Sequence, residues 1–142
     1  MMERLIIGFT GTRSGMSDKQ KKEVAAELEE LGCNDPDVLY TILHGGCIGA
    51  DIDFHDMCSL ARKEVFPGHS AKDPSDMKHR GEYPRADVIH DSQTHFKRNR
   101  DIVDRCDILI ATPYNDNQEG GTWYTINYAL KKGKDVSIFN RL

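Results

Sequence analysis

Three times along this chain a short apolar run ends in a glycine-containing loop and passes into a segment of helical periodicity. That repeated order constrains the fold more than any single motif. Residues 4–9 (RLIIGF) lead through Thr10, Gly11, Thr12 and Arg13 into SDKQKKEVAAELEEL, where Val24, Leu28 and Leu31 recur at helical spacing and Ser17 stands as an N-cap. Residues 38–43 (VLYTIL) lead through HGGCIGAD into a helix with Ile52, Phe54, His55 and Cys58 near one face. Residues 107–112 (DILIAT) lead through a polar loop, 113–119, into a helix over 122–132 and a last strand at 136–139. With the short apolar pair Val65-Phe66, the pattern predicts an α/β protein, a Rossmann-like three-layer sandwich around a mainly parallel central sheet of about five strands.

Between these units the reading is thinner. Residues 63–89 are polar and rich in proline and glycine, and the 67–87 loop reads as a candidate lid. Residues 93–105 (QTHFKRNRDIVDR) form a basic helix expected to turn Phe96, Ile102 and Val103 to the core. In the 122–132 helix, Ile126 and Leu130 are expected to face the sheet, leaving Tyr124 and Tyr128 on a shared face as a subunit interface or ligand wall.

A chain of 142 residues fits one domain, 1–142, able to bury a core without metal or disulfide staples. Its formal charge of −4 argues against a broad nucleic-acid surface and leaves room for a small positive pocket. The four cysteines form no C-x-x-C pair, the opening apolar run is too short for a signal peptide, and no stretch approaches the length of a membrane span. The chain therefore reads as reduced and cytoplasmic, with no membrane partner. The histidines show no metal-binding spacing, so no metal and no cofactor is expected. Cys47 is read as a packing thiol before a nucleophile.

In a parallel sheet, the loops 8–13, 44–51 and 115–122 should meet beyond the carboxyl ends of their strands. The sequence EGGTW at 119–123 places two glycines and a threonine at a helix start, where unpaired amides and the positive end of the macrodipole favour an anion. Glycine permits close backbone approach, and Thr10, Thr12 and Thr122 add hydroxyls. A phosphorylated sugar or nucleotide is the natural ligand, with Arg13 to neutralise it, Asp51 at the second loop, and Trp123 either stacking on a base or packing beneath the loop.

The blocks GFTGTR, HGGCIGADIDFH, FKRNRDIVDRCDILIATP and GGTWYTINYALKKGK together resemble the SLOG superfamily. That superfamily includes the Rossmann domain of DNA-processing protein A, the Lonely Guy phosphoribohydrolases and small single-domain members. The resemblance implies a pocket formed by Gly11, Gly45, Gly46, Gly49, Gly120, Gly121 and Thr122, with phosphate near the last three, and a homo-oligomer. Arg98 stands nine residues before Asp107, the spacing at which Lonely Guy enzymes place a catalytic arginine; the alternative is a solvated basic face shared with Lys97, Arg100 and Arg105. Those enzymes also carry a glutamate three residues after the motif threonine, and here that position is Thr125, which cannot act as a base near neutral pH.

Substitute carboxylates are Glu119, Asp116, Asp51 and Asp53. The expected function is binding of a nucleotide or ADP-ribose-like ligand, to sense or sequester it. The enzymatic alternative is N-glycosidic cleavage of a nucleoside 5′-monophosphate, with Arg98 and Glu119 as its catalytic residues, and a further alternative is a single-stranded DNA-binding module.

Overall fold

A computed structural model describes residues 4–76, 79–83 and 85–142. In chain order, β1 (Arg4–Gly11), α1 (Asp18–Glu30), β2 (Leu39–His44), α2 (Ala50–Met57) and β3 (Arg62–Val65) are followed by three two-residue strands, β4 (Gly68–His69), β5 (Val88–Ile89) and β6 (Gln93–Thr94). Then come α3 (His95–Arg105), β7 (Ile108–Thr112), α4 (Gly121–Lys131) and β8 (Asp135–Ile138). The central sheet has six strands in the order β5-β3-β2-β1-β7-β8, every pair parallel, and β4 pairs with β6 beside it.

The strand alternation sorts side chains onto two faces. On one, Ile7 and Phe9 of β1, Tyr40 and Ile42 of β2 and Ile110 of β7 pack against Val24 and Leu28 of α1 and Phe54 of α2. Phe9 and Phe54 stack with ring centroids 4.3 Å apart. On the other, Leu43 and Leu109 pack with Ile102 and Val103 of α3 and Ala129 of α4, while Ala111 meets Trp123 and Ile126. The result is the Rossmann-like α/β/α sandwich. Gly8 lets α3 lie close on β1, since a Cβ there would sit 3.1 Å from both Cys106 and Ile102. No helix among the described residues is long and apolar enough to cross a membrane.

The N-terminus of α1 forms as expected, and more tightly. Ser17 Oγ accepts from the Gln20 amide while Gln20 Oε1 accepts from the Ser17 amide, a reciprocal capping box. The sixth central strand, β5, lies in the stretch read as loop; two residues offer no periodicity to detect. Met77, Lys78 and Pro84 of the expected 67–87 lid lie outside the described residues.

Two expectations about helix faces are corrected. Phe96 is 54% exposed and rests on Tyr124, with ring centroids 4.4 Å apart, instead of facing the core with Ile102 and Val103. Leu130, in the last turn of α4, is likewise exposed instead of facing the sheet with Ile126. The small Ala129 takes the inward position and lets α4 approach α3.

Candidate functional site

The chain runs from β1 outward to β2, β3 and β5 in one direction, then returns to start β7 on the opposite side of β1 and continues to β8. That reversal opens a crevice at the carboxyl ends of β1 and β7, the place where sheets of this kind hold ligands. A cleft of about 830 Å³ lies there, walled by the three expected loops together with α3 and the β4–β6 side.

The first loop contributes Gly11, Thr12 and Arg13 to the wall. A Cβ on Gly11 would stand 2.5 Å from both Ala50 and Thr112, so this glycine is required by packing. Thr12 O accepts from the amides of Gly15 and Ala50, which locks the loop to the start of α2. Arg13 is exposed at the rim.

The second loop divides its expected residues. Gly45 and Asp51 line the cleft; Gly46 and Gly49 do not. Gly46 has φ +66° and donates its N–H to His44 Nδ1 at 2.9 Å, and a side chain there would collide with Val65 and Tyr83. Gly49, with φ +91°, lies against the Arg13 carbonyl. Both glycines shape the turn from behind. Asp51 Oδ2 gathers the amides of Gly45 at 3.1 Å and Cys47 at 3.2 Å, folding the loop over the first turn of α2. Burial raises the Asp51 carboxyl above its ordinary range, opposed by the Arg98 charge and the two amide bonds. Asp53 is spent elsewhere, accepting from the Met16 amide at 3.0 Å. Burial also pushes the Cys47 thiol up, aided by Asp51 and only partly countered by Arg98, so it stays protonated near neutral pH.

Arg98 is the one basic side chain of α3 that turns inward, and it is 5% exposed. Its position four residues before Ile102 puts it on the buried stripe of the helix. Nη1 donates to Gly45 O and Phe66 O, each at 3.0 Å, and Nε donates to Asn99 Oδ1 at 2.7 Å. Nη2 meets His95 Nδ1 at 3.2 Å and the Cys47 sulfur at 3.8 Å. The solvated-face alternative describes its neighbours: Lys97 pairs with Asp101, Arg100 donates to Tyr124 Oη, and Arg105 pairs with Glu64.

The third loop brings Glu119, Gly120, Gly121, Thr122 and Trp123 to the cleft. Asn115 and Asn117 accept from amides two residues onward, bending 115–119 into consecutive Asx turns. Trp123 is 8% exposed and donates Nε1–H to Asn115 O at 2.7 Å, so its indole pins the loop while one edge borders the cleft. Gly120, at φ +90° and ψ −180°, is the N-cap of α4, and no side chain caps that helix. A Cβ added at Gly120 or Gly121 would meet nothing within 4 Å. The start of α4, Gly120 to Trp123, thus lines the cleft with no side-chain cap on its amides. Thr125 is buried beneath, its hydroxyl donating to Gly121 O at 2.9 Å.

The structure also brings in residues the sequence reading did not select: Ser70, Thr94, His95, Asn99 and Tyr114. The available signals were slight. Asn99 adjoins Arg98 and Tyr114 follows a strand, but Ser70 lies in the unreadable stretch. Among the described residues, no group of three His, Cys, Asp or Glu side chains is arranged to hold a metal ion.

No family model matches this chain, and no curated protein matches it in sequence. Among solved structures it is similar to the X-ray structure of TM1055, a Northeast Structural Genomics Consortium target, with a TM-score of 0.58 and 15% identity over 96% of this chain and 72% of that one. At that identity the similarity concerns the fold, and it places the chain among Rossmann-like α/β proteins.

Proposed function

We propose that this chain is a small SLOG-like protein that binds a nucleotide or ADP-ribose-like ligand in the cleft, to sense or sequester a nucleotide-derived signal. The observation that carries this reading is the uncapped start of α4, open at Gly120 and Gly121, at the chain reversal between β1 and β7. Amides without intrahelical partners, aligned with the positive end of a helix dipole, are a ready phosphate site. Arg13 and Arg98 supply positive charge, and Tyr114 and the edge of Trp123 offer surfaces for a base. A homo-oligomer would cover the exposed Phe96 and its neighbour Tyr124 along α3 and α4.

The test is a thermal-shift screen of nucleoside monophosphates, dinucleotides, ADP-ribose and cyclic nucleotides, with chromatography of each mixture after incubation. A concentration-dependent rise in melting temperature with the ligand recovered intact supports binding. A flat response across the panel sinks it.

A second reading, N-glycosidic cleavage of a nucleoside 5′-monophosphate, is favoured by one feature: Asp51 is a buried carboxylate on the cleft wall with its acidity weakened by burial. Glu119 reaches the same cleft from an exposed loop. Free base in the chromatogram would establish this activity, and its absence with every bound nucleotide would exclude it.

A further inference from the structure

The aromatic side chains on the cleft wall are not equivalent. Phe9, Phe96, Tyr114 and Trp123 all line the cleft. Phe9 is buried and stacked on Phe54, and Trp123 is buried with its indole tied to Asn115 O, so the first has no free ring face and the second presents only an edge. Phe96 is exposed, but its ring leans on Tyr124. Tyr114 is exposed as well, and among the described residues no other aromatic ring packs on it.

What holds Tyr114 is a cation. The Arg141 guanidinium sits over its ring, 4.8 Å from the centroid, an attraction between positive charge and the negative face of the π-system. Arg141 is itself fixed at two points: Nη1 donates to Gly15 O at 2.8 Å, and its carbonyl accepts from Ser17 Oγ at 2.9 Å. The segment after β8 thereby ties the approach to α1 to the start of the third loop. Arg141 does not line the cleft, so it backs the ring instead of competing for the ligand. A side chain already held on one face loses little freedom when a flat group stacks on the other, which lowers the cost of binding. Tyr114 and Gly120 also belong to one loop, on either side of the Asx turns that stiffen 115–119.

We propose that Tyr114 is the base-recognition residue of the cleft, stacking an aromatic base on the ring face opposite Arg141, and that Arg141 is its positioning residue. This rests on the nucleotide-binding reading and narrows its ligand class to phosphates that carry a base.

Calorimetric titration of the protein with 5′-AMP and with ribose 5-phosphate, which keeps the sugar and phosphate and lacks the base, tests it. 5′-AMP is expected to bind about tenfold tighter, the gain of one base stacked on an aromatic ring. Tyr114→Ala should bring 5′-AMP down to the ribose 5-phosphate value, while Tyr114→Phe keeps the ring and the preference. Arg141→Ala should narrow the ratio of the two affinities, a change that a purely structural role would not produce because it would weaken both ligands alike. A ratio near one in the unaltered protein, or one that persists in Tyr114→Ala, overturns the stacking role and leaves the phosphate site standing. A ratio untouched by Arg141→Ala overturns the positioning role. No binding of either ligand overturns the nucleotide reading and this inference together.

Discussion

His44 Nε2 and His55 Nδ1 lie 2.8 Å apart in the core, both rings essentially inaccessible to solvent, directly behind the second glycine loop. His44 Nδ1 accepts the Gly46 amide, so the proton shared with His55 sits on His44 Nε2. The pair thus links the loop to the body of α2. Burial holds the His44 pKa well below its ordinary 6.5, reinforced by His55, Lys63 and Arg98.

The sign of the resulting pH dependence follows directly. Between the folded and unfolded pKa values the unfolded chain binds more protons, so the contribution of His44 is fully present above pH 6.5 and is lost as pH falls through and below that value. One such group gives a slope of up to about 1.4 kcal/mol per pH unit. Urea unfolding at pH 7.5 and pH 5.5 should show this loss, and His44→Asn, which keeps a short acceptor for the Gly46 amide, should reduce it. Equal slopes in the two proteins would remove His44 as the cause.

The two glycines at the start of α4 should respond oppositely to alanine. Gly120 has a backbone conformation essentially reserved for glycine, so Gly120→Ala should cost roughly 1–3 kcal/mol despite the open space around it. Gly121 has the same open space and no positive φ, so Gly121→Ala should leave stability unchanged or raise it by about 0.4–1 kcal/mol. The added methyl would stand over the amides proposed to hold phosphate, and 5′-AMP affinity should fall. Denaturation and calorimetry on both variants separate the backbone role from the binding role; unchanged affinity in Gly121→Ala would argue against phosphate at this helix start.

The legible part of the chain was what repeats. Ile7, Phe9, Ile42 and Ile110 lie in short apolar runs that end in loops before helices, and those loops converge because a parallel sheet forces them to one edge. Side chains whose role depends on contacts distant in sequence were not legible. Arg98 has the same sequence neighbourhood as Lys97 and Arg100, and only the carbonyls of Gly45 and Phe66, brought by other strands, make it a buried anchor. Gly46 and Gly49 carry the same glycine signal as Gly45, yet they face Val65 and the Arg13 backbone, which no local pattern reports. Strands β4, β5 and β6 are two residues each, below the length at which a period exists.

Gln20 shows how much one buried amide can hold. It is fully buried; Nε2 donates to Pro113 O at 2.9 Å and Phe139 O at 3.0 Å, while Oε1 caps its own helix. Those carbonyls follow β7 and β8, so Gln20 fastens α1 to the edge of the sheet beside the third loop. Gln20→Leu keeps similar volume and orphans these groups, at roughly 1–3 kcal/mol for each one left buried and unpaired. A denaturation midpoint within error of the unaltered protein would show that water or a local shift replaces them.

Thr125 gives a sharper test of how far the enzymatic resemblance extends. Restoring the Lonely Guy pattern with Thr125→Glu looks, from sequence, like the repair of a missing catalytic group. In the fold, Thr125 is 1% exposed and its hydroxyl is bonded back to Gly121 within α4. A glutamate there must either bury an unpaired carboxylate or displace the helix, and either should cost several kcal/mol. Thr125→Val, which removes only the hydroxyl bond, should stay within about 1 kcal/mol. Thermal denaturation of both variants, with chromatography of nucleotide mixtures, checks the argument. A stable Thr125→Glu protein that releases free base would mean that α4 turns this position toward the cleft, and the binding reading would give way to the enzymatic one.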